Sequence, residues 1–247
     1  CIRDRLEDLG CTLYLDKLSD ETADRLYGDA LKALVTIQAS APTKGLPLYD
    51  RELLMREMEL FREWLIGRQL SLELTTDEQL MLDETFRVLA DAALQQPQVC
   101  VHRDYHSRNL MVHDRHNPGI LDFQDAVVGP VTYDLVSLLK DCYISWPRER
   151  VEAWVADYYG LALQSGVLKV EDEAAFPVWF DLMGVQRHLK ASGIFARLYR
   201  RDGKPGYLAD IPRTLDYILP LTEAYSGLEG LGELLRARVM PALQCAD

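Results

Sequence analysis

Asparagine is nearly absent, with two residues in 247, and the five cysteines at positions 1, 11, 100, 142 and 245 are an odd, scattered set without a C-x-x-C pair. That argues against a disulfide framework or a thiolate zinc site, and a reducing cytoplasm is the expected compartment. No run of 18 apolar residues occurs, and the opening Cys1-Ile-Arg-Asp-Arg5 lacks the charged-then-apolar order of a signal peptide, so no membrane partner is expected. Basic residues are scarce beside acidic ones, 27 against 39, for a net charge of −12. Such a balance disfavours nucleic acid, which needs clustered cations to displace counterions. A small-molecule partner fits better. The hydrophobic content of 48% suffices for a well-buried core.

Apolar residues recur at helical spacing over residues 20–39 through Leu26, Tyr27, Ala30, Leu31 and Leu34. Asp50 is placed to cap a second helix with Leu54, Met58, Phe61 and Leu65 as its stripe, and Thr76-Asp-Glu-Gln79 reads as a capping box opening a third. The period then changes. Residues 99–102, 109–113 and 120–123 read as short strands around a turn at Asp114-Arg-His-Asn-Pro-Gly119, and helical patterns resume at 133–142 and after Pro147. Further helices are expected near 172–190, 210–223 and 228–240.

The β island carries the most specific signal, Cys100-Val-His-Arg-Asp-Tyr-His-Ser-Arg-Asn-Leu-Met-Val-His113 followed by Gly119-Ile-Leu-Asp-Phe-Gln-Asp125. With so few His and Asn, an H-x-D-x-x-x-x-N pattern arises by chance only about 0.004 times in this composition. Phosphoryl transfer needs a carboxylate at the acceptor hydroxyl and oxygen ligands for magnesium. Asp104 suits the first role, as a base that orients the hydroxyl and takes its proton. Asn109 and Asp122 suit the second, because magnesium prefers hard oxygen donors. Antiparallel pairing around the turn at residues 117–119 brings those two to one end of a hairpin. Asp125 either faces a substrate hydroxyl or caps the next turn.

These residues resemble the catalytic core of the aminoglycoside phosphotransferase and choline kinase family. The resemblance implies mainly α architecture with a small β hairpin region (α+β), the C-terminal lobe of a protein-kinase-like fold, using ATP as co-substrate with Mg2+. His106 matches a His frequent in that family and is carried as a substrate-binding candidate. Gly129-Pro-Val-Thr-Tyr-Asp-Leu135 is similar to the family's Gly-Asp-Pro-x-x-Asp-Leu segment, which implies a structural role for Asp134, and His102 is expected to support the loop. Ser107-Arg108 replaces a small Pro-Gly pair, making Arg108 a candidate anion contact. Downstream, residues 184–217 are similar to bacterial N-acetylmuramate/N-acetylglucosamine kinases. That implies phosphorylation of an amino sugar at its anomeric hydroxyl in cell-wall recycling, with an aminoglycoside or choline-type acceptor as the alternative.

Leu6-Glu-Asp-Leu-Gly10 resembles the hinge that joins the two lobes of such kinases, which makes Glu7 and Leu9 nucleotide-binding candidates. Residues 1–18 therefore read as a hinge remnant and 19–247 as the helical catalytic and substrate-binding lobe. The glycine-rich loop and the Lys–Glu pair of an N-terminal lobe have no counterpart here, so that lobe is expected in the parent protein. This chain alone is expected to bind ATP poorly, and a non-catalytic kinase-like lobe is the competing reading. Arg187, His188, Arg197, Arg200, Arg201 and Lys204 form the notable basic stretch. They read first as a solvated helical face, and second, through Arg187, as a contact for an acidic substituent.

Overall fold

Helical periodicity accounts for most of the fold, which the computed structural model describes for residues 9–245. The candidate Glu7 lies outside the described residues. A short helix α1 (Tyr14–Lys17) leads into α2 (Ala23–Ser40), whose stripe Leu26, Tyr27, Ala30, Leu31 and Leu34 is wholly buried. Each such leucine contributes about 1.5–3 kcal/mol of apolar burial. Trp154 and Trp146 close on Tyr27, the first ring-to-ring at 4.5 Å, the second donating from Nε1 to the Tyr27 hydroxyl at 2.9 Å.

Asp50 caps α3 (Arg51–Leu60) by accepting from the amide of Leu53 at 2.9 Å. The helix continues as wider turns over Phe61–Gln69. The next helix, α4 (Thr76–Leu94), corrects one expectation: its capping box is Thr75 with Glu78, one residue earlier than Thr76 with Gln79. Thr75 accepts from the Glu78 amide while Glu78 accepts from the Thr75 amide at 2.8 Å, and Arg238 pairs with the Glu78 carboxylate at 2.5 Å. That ion pair to a distant helix holds the frame a residue back.

Four short strands follow rather than three. β1 (Gln98–Val101) pairs antiparallel with β4 (Val127–Pro130), and β2 (Leu110–Met111) with β3 (Gly119–Ile120). The register of the second pair sets Leu110 opposite Ile120, and the Leu121 amide donates to the Asn109 carbonyl at 3.0 Å. β4 escaped the sequence reading because its Gly-Pro end looks like a turn signal. On the outer side of the hairpin, Val112 donates to Thr12 at 2.8 Å and Leu15 to Ser107 at 3.1 Å, while Leu9 packs on Gly119.

The remaining helices are α5 (Tyr133–Leu139), α6 (Arg148–Ser165), α7 (Phe176–Asp202), α8 (Ile211–Asp216), α9 (Leu221–Ala224), α10 (Glu229–Leu234) and α11 (Met240–Gln244). α7 is the central post, with fifteen buried residues. Where it crosses the end of α3, Gly193 admits the backbone of Leu60: a Cβ there would lie 2.3 Å from the Leu60 carbonyl carbon. Among the described residues no helix is long and apolar enough to cross a membrane.

Candidate active site

The loop between β1 and β2 is held open by buried carboxylates on either side of α5. Asp134, in the first turn of that helix, accepts from the amides of His102 at 2.6 Å and Arg103 at 2.9 Å. Complete burial pushes its carboxyl up to about 7, against the pull of those two amides. Asp141, just past the helix, accepts from the Ser107 amide at 3.0 Å and hydroxyl at 2.6 Å, and from the Tyr143 amide at 3.0 Å. Ser107 is thus an anchor, and the Pro-Gly pair of the resembling family would lack its hydroxyl. Tyr105 adds a third tie, donating to the Ala30 carbonyl of α2 at 2.8 Å.

The clamped loop carries Asp104, half-buried, with Arg103 before it in the left-handed region at φ 77°. The Asn109 side-chain amide donates to the Asp104 carbonyl at 3.1 Å. Its nitrogen is thereby committed, and its oxygen remains as an acceptor. Asp122, at the other end of the hairpin, is exposed and also left-handed, at φ 69°. Asp tolerates that conformation better than most residues, at about 1–2 kcal/mol. Gln124 donates to Asp122 Oδ1 at 2.8 Å, leaving Oδ2 without a side-chain partner among the described residues.

Asp104, Asn109 and Asp122 line one cavity of about 680 Å³, together with His106, Arg108, Asp125 and Arg187. His106 meets Tyr143 edge-on at 5.5 Å, and burial holds its imidazole below the usual range. Arg108 is exposed, its guanidinium over the rings of Tyr143 at 4.6 Å and Tyr207 at 5.6 Å. Asp125 is exposed at the rim, and its carbonyl accepts from Arg103 at 3.5 Å. His102 and Asp134 lie outside the cavity lining, His102 buried edge-on to Tyr105 at 5.8 Å. Leu9 is not among the lining residues either.

Other members of the site were invisible to spacing. Glu57 of α3, buried beneath the loop, meets Arg103 at 2.5 Å, Lys190 at 3.0 Å and the Tyr49 hydroxyl. Burial pushes its carboxyl up, but Lys190, Tyr49 and Arg103 together outweigh that and hold it below the usual range. Lys190 also donates to the Tyr133 hydroxyl at 2.8 Å. The three-residue step from Arg187 to Lys190 was the available signal that both share a face of α7. The basic stretch divides: Arg200, Arg201 and Lys204 are exposed as a solvated face requires, whereas Arg187 is 7% exposed.

The family model described as "Phosphotransferase enzyme family" matches residues 5–172. The chain belongs to the phosphotransferase enzyme family. The phosphotransferase is 49% identical over 230 residues to the N-acetylmuramate/N-acetylglucosamine kinase of Pseudomonas putida, a match covering 93% of this chain and 68% of the relative. It is 44% identical over 234 residues to the protein of the same name from Neisseria meningitidis, covering 93% of this chain and 70% of the relative. In structure it is similar to the ethanolamine kinase of Plasmodium vivax, with a TM-score of 0.63 at 12% identity, over 87% of this chain and 65% of that one. That likeness supports the mainly helical, kinase-like C-terminal lobe expected from the sequence. The phosphotransferase is a small-molecule kinase with a hydroxyl as acceptor.

Proposed function

We propose that this phosphotransferase moves the γ-phosphoryl group of ATP to the anomeric hydroxyl of N-acetylmuramate or N-acetylglucosamine, the sugars in its relatives' names. The observation that carries the reading is the convergence of Asp104, Asn109 and Asp122 on one cavity large enough for a sugar. Asp104 orients the acceptor hydroxyl. As the bond from that oxygen to Pγ forms and the bond from Pγ to the leaving oxygen of ADP breaks, the hydroxyl proton passes to the Asp104 carboxylate. Buried Asp134 and Asp141 keep the loop still, which matters because catalysis of this kind is chiefly positioning.

Asn109 Oδ1 and the Asp122 carboxylate would hold Mg2+. Two hard oxygen donors fit an ion that keeps several waters and takes phosphate oxygens as its remaining ligands. When bound, magnesium neutralises charge on the β- and γ-phosphates. We assign His106 and Asp125 to the acceptor wall, and Leu9 to the nucleotide side through its packing on the hairpin at Gly119. ATP as co-substrate makes the cytoplasm the compartment of this reading. The cavity lining holds five cations, Arg103, Arg108, Arg187, Lys190 and Arg197, against the carboxylates of Asp104, Asp122 and Asp125. That balance argues against a polyamine antibiotic or choline as acceptor, since a cationic amine needs an acidic cleft.

The test is ATP consumption by the parent protein with N-acetylmuramate, N-acetylglucosamine, kanamycin and choline as acceptors. We expect turnover with the sugars only, and a fall in kcat of about 10²–10⁴-fold in Asp104→Asn at unchanged melting temperature. Near-normal turnover in that variant would sink the assignment.

A further inference from the structure

Three cations of α7, Arg187, Lys190 and Arg197, line the cavity, and Arg187 is the one that is buried without a carboxylate partner among the described residues. Among the cations lining the cavity, Arg103 and Lys190 share the Glu57 carboxylate, Arg108 rests on two tyrosine rings at the exposed rim, and Arg197, whose Nε also lacks a hydrogen-bond partner, is only half-buried with its charge felt at Asp202. Arg187 has none of these arrangements. It is nine-tenths buried, and its hydrogen-bond partners are neutral: Nε donates to the Ser137 hydroxyl at 2.5 Å and Nη1 to the Cys142 sulfur at 3.5 Å. Nη2 has no hydrogen-bond partner among the described residues, and none of their carboxylates lies within ion-pair distance of the guanidinium. Asp141, whose charge is felt at Arg187, is committed to Ser107 and Tyr143 of the site's own scaffold.

A guanidinium cannot shed its proton to escape burial, so a nearly buried one without an anionic partner is expensive unless a ligand supplies that partner. The cavity is where the ligand sits, and Arg187 lines it. We propose that Arg187 is an anion subsite of the acceptor cavity that pairs with a carboxylate carried by the acceptor sugar, making it the residue that favours an acidic amino sugar over its neutral counterpart. Ser137 acts as a positioning residue, fixing Nε so that the Nη1–Nη2 edge meets the two carboxylate oxygens. The inference rests on the amino-sugar reading above. It adds that the two sugars are not recognised alike, because N-acetylmuramate carries a carboxyl-bearing ether that N-acetylglucosamine lacks.

The experiment measures kcat/KM for both sugars, and KM for ATP, with the parent protein as wild type, Arg187→Met, Arg187→Lys and Ser137→Ala. A charge-assisted, bidentate contact predicts that the ratio of kcat/KM for N-acetylmuramate to that for N-acetylglucosamine falls about 30-fold or more in Arg187→Met. Arg187→Lys restores part of the ratio, and Ser137→Ala lowers it less. An unchanged ratio overturns the proposal, as does an equal loss on both sugars with a raised KM for ATP, which would assign the arginine to the nucleotide phosphates. Should Arg187→Met not fold, the Lys and Ala variants decide by the same ratio. Turnover of neither sugar by the wild type would refute the amino-sugar reading instead. Calorimetry with D-lactate then decides the subsite: saturable binding that is lost in Arg187→Met and weakened in Arg187→Lys supports it, and no binding overturns it.

Discussion

Replacing Asp134 by alanine should separate activity from stability. The carboxylate accepts two loop amides, at 2.6 and 2.9 Å, from the residues just before Asp104. Leaving both donors without a partner costs about 1–3 kcal/mol each, or about 2–6 kcal/mol together. Against that stands the expense of burying the carboxylate. Its rise from 3.8 to about 7 corresponds to about 4 kcal/mol above neutral pH. The two effects nearly cancel, so the net change should stay within about 2 kcal/mol of zero, and the melting temperature within about 8 °C of wild type. Activity has no such compensation. A loop freed by about 1 Å loses on the order of 10²-fold in turnover. Thermal unfolding and sugar-dependent ATP consumption on the same preparation give both numbers. A folded Asp134→Ala protein with turnover within about threefold of wild type would refute the argument that this carboxylate positions the catalytic loop.

The same group predicts a pH signature. Because the folded-state value of about 7 lies above the unfolded value of 3.8, the native state holds a proton that the unfolded chain has released between those limits. Stability contributed by Asp134 therefore falls as pH rises through that window, by about 1.4 kcal/mol per pH unit. Urea denaturation of wild type minus Asp134→Asn should show that fall, and a flat difference would contradict it.

Two further outcomes follow from the geometry. Asp122→Asn, which removes the charge of a proposed magnesium ligand, should raise the magnesium concentration for half-maximal turnover at least about tenfold, and an unchanged magnesium titration would count against that role. Gly193→Ala places a methyl group 2.3 Å from the Leu60 carbonyl carbon and 2.4 Å from its oxygen. Despite about 1 kcal/mol gained in helix propensity, overpacking should leave the variant about 1–3 kcal/mol less stable, so a raised melting temperature would show that α3 and α7 separate freely there.

The residues proposed to carry the chemistry could be singled out without coordinates because their constraints are local. Asn109 and Asp122 are joined by one hairpin, and a turn within thirteen residues is enough to bring them together. The stripe of α2 and the Asp50 cap obey the same rule, since period and cap act within a few residues. The helix start at Thr75 marks where local rules stop: Thr75 with Glu78 and Thr76 with Gln79 both satisfy the capping pattern. An arginine 160 residues away chooses between them.

The long-range placements belong to the tertiary structure alone. In sequence, Arg187, Arg200 and Arg201 are members of one basic stretch, yet one is buried against the cavity lined by Asp104, Asn109 and Asp122 and the others meet solvent. Glu57, 46 residues before Arg103, and Asp141, 34 after Ser107, complete the loop's support without any motif to announce them. Local sequence determined which residues share the hairpin proposed for phosphoryl transfer, through hydrogen bonding and periodicity over a few residues. Packing determined which charges are left uncompensated around them, because burial depends on every element that closes over a side chain.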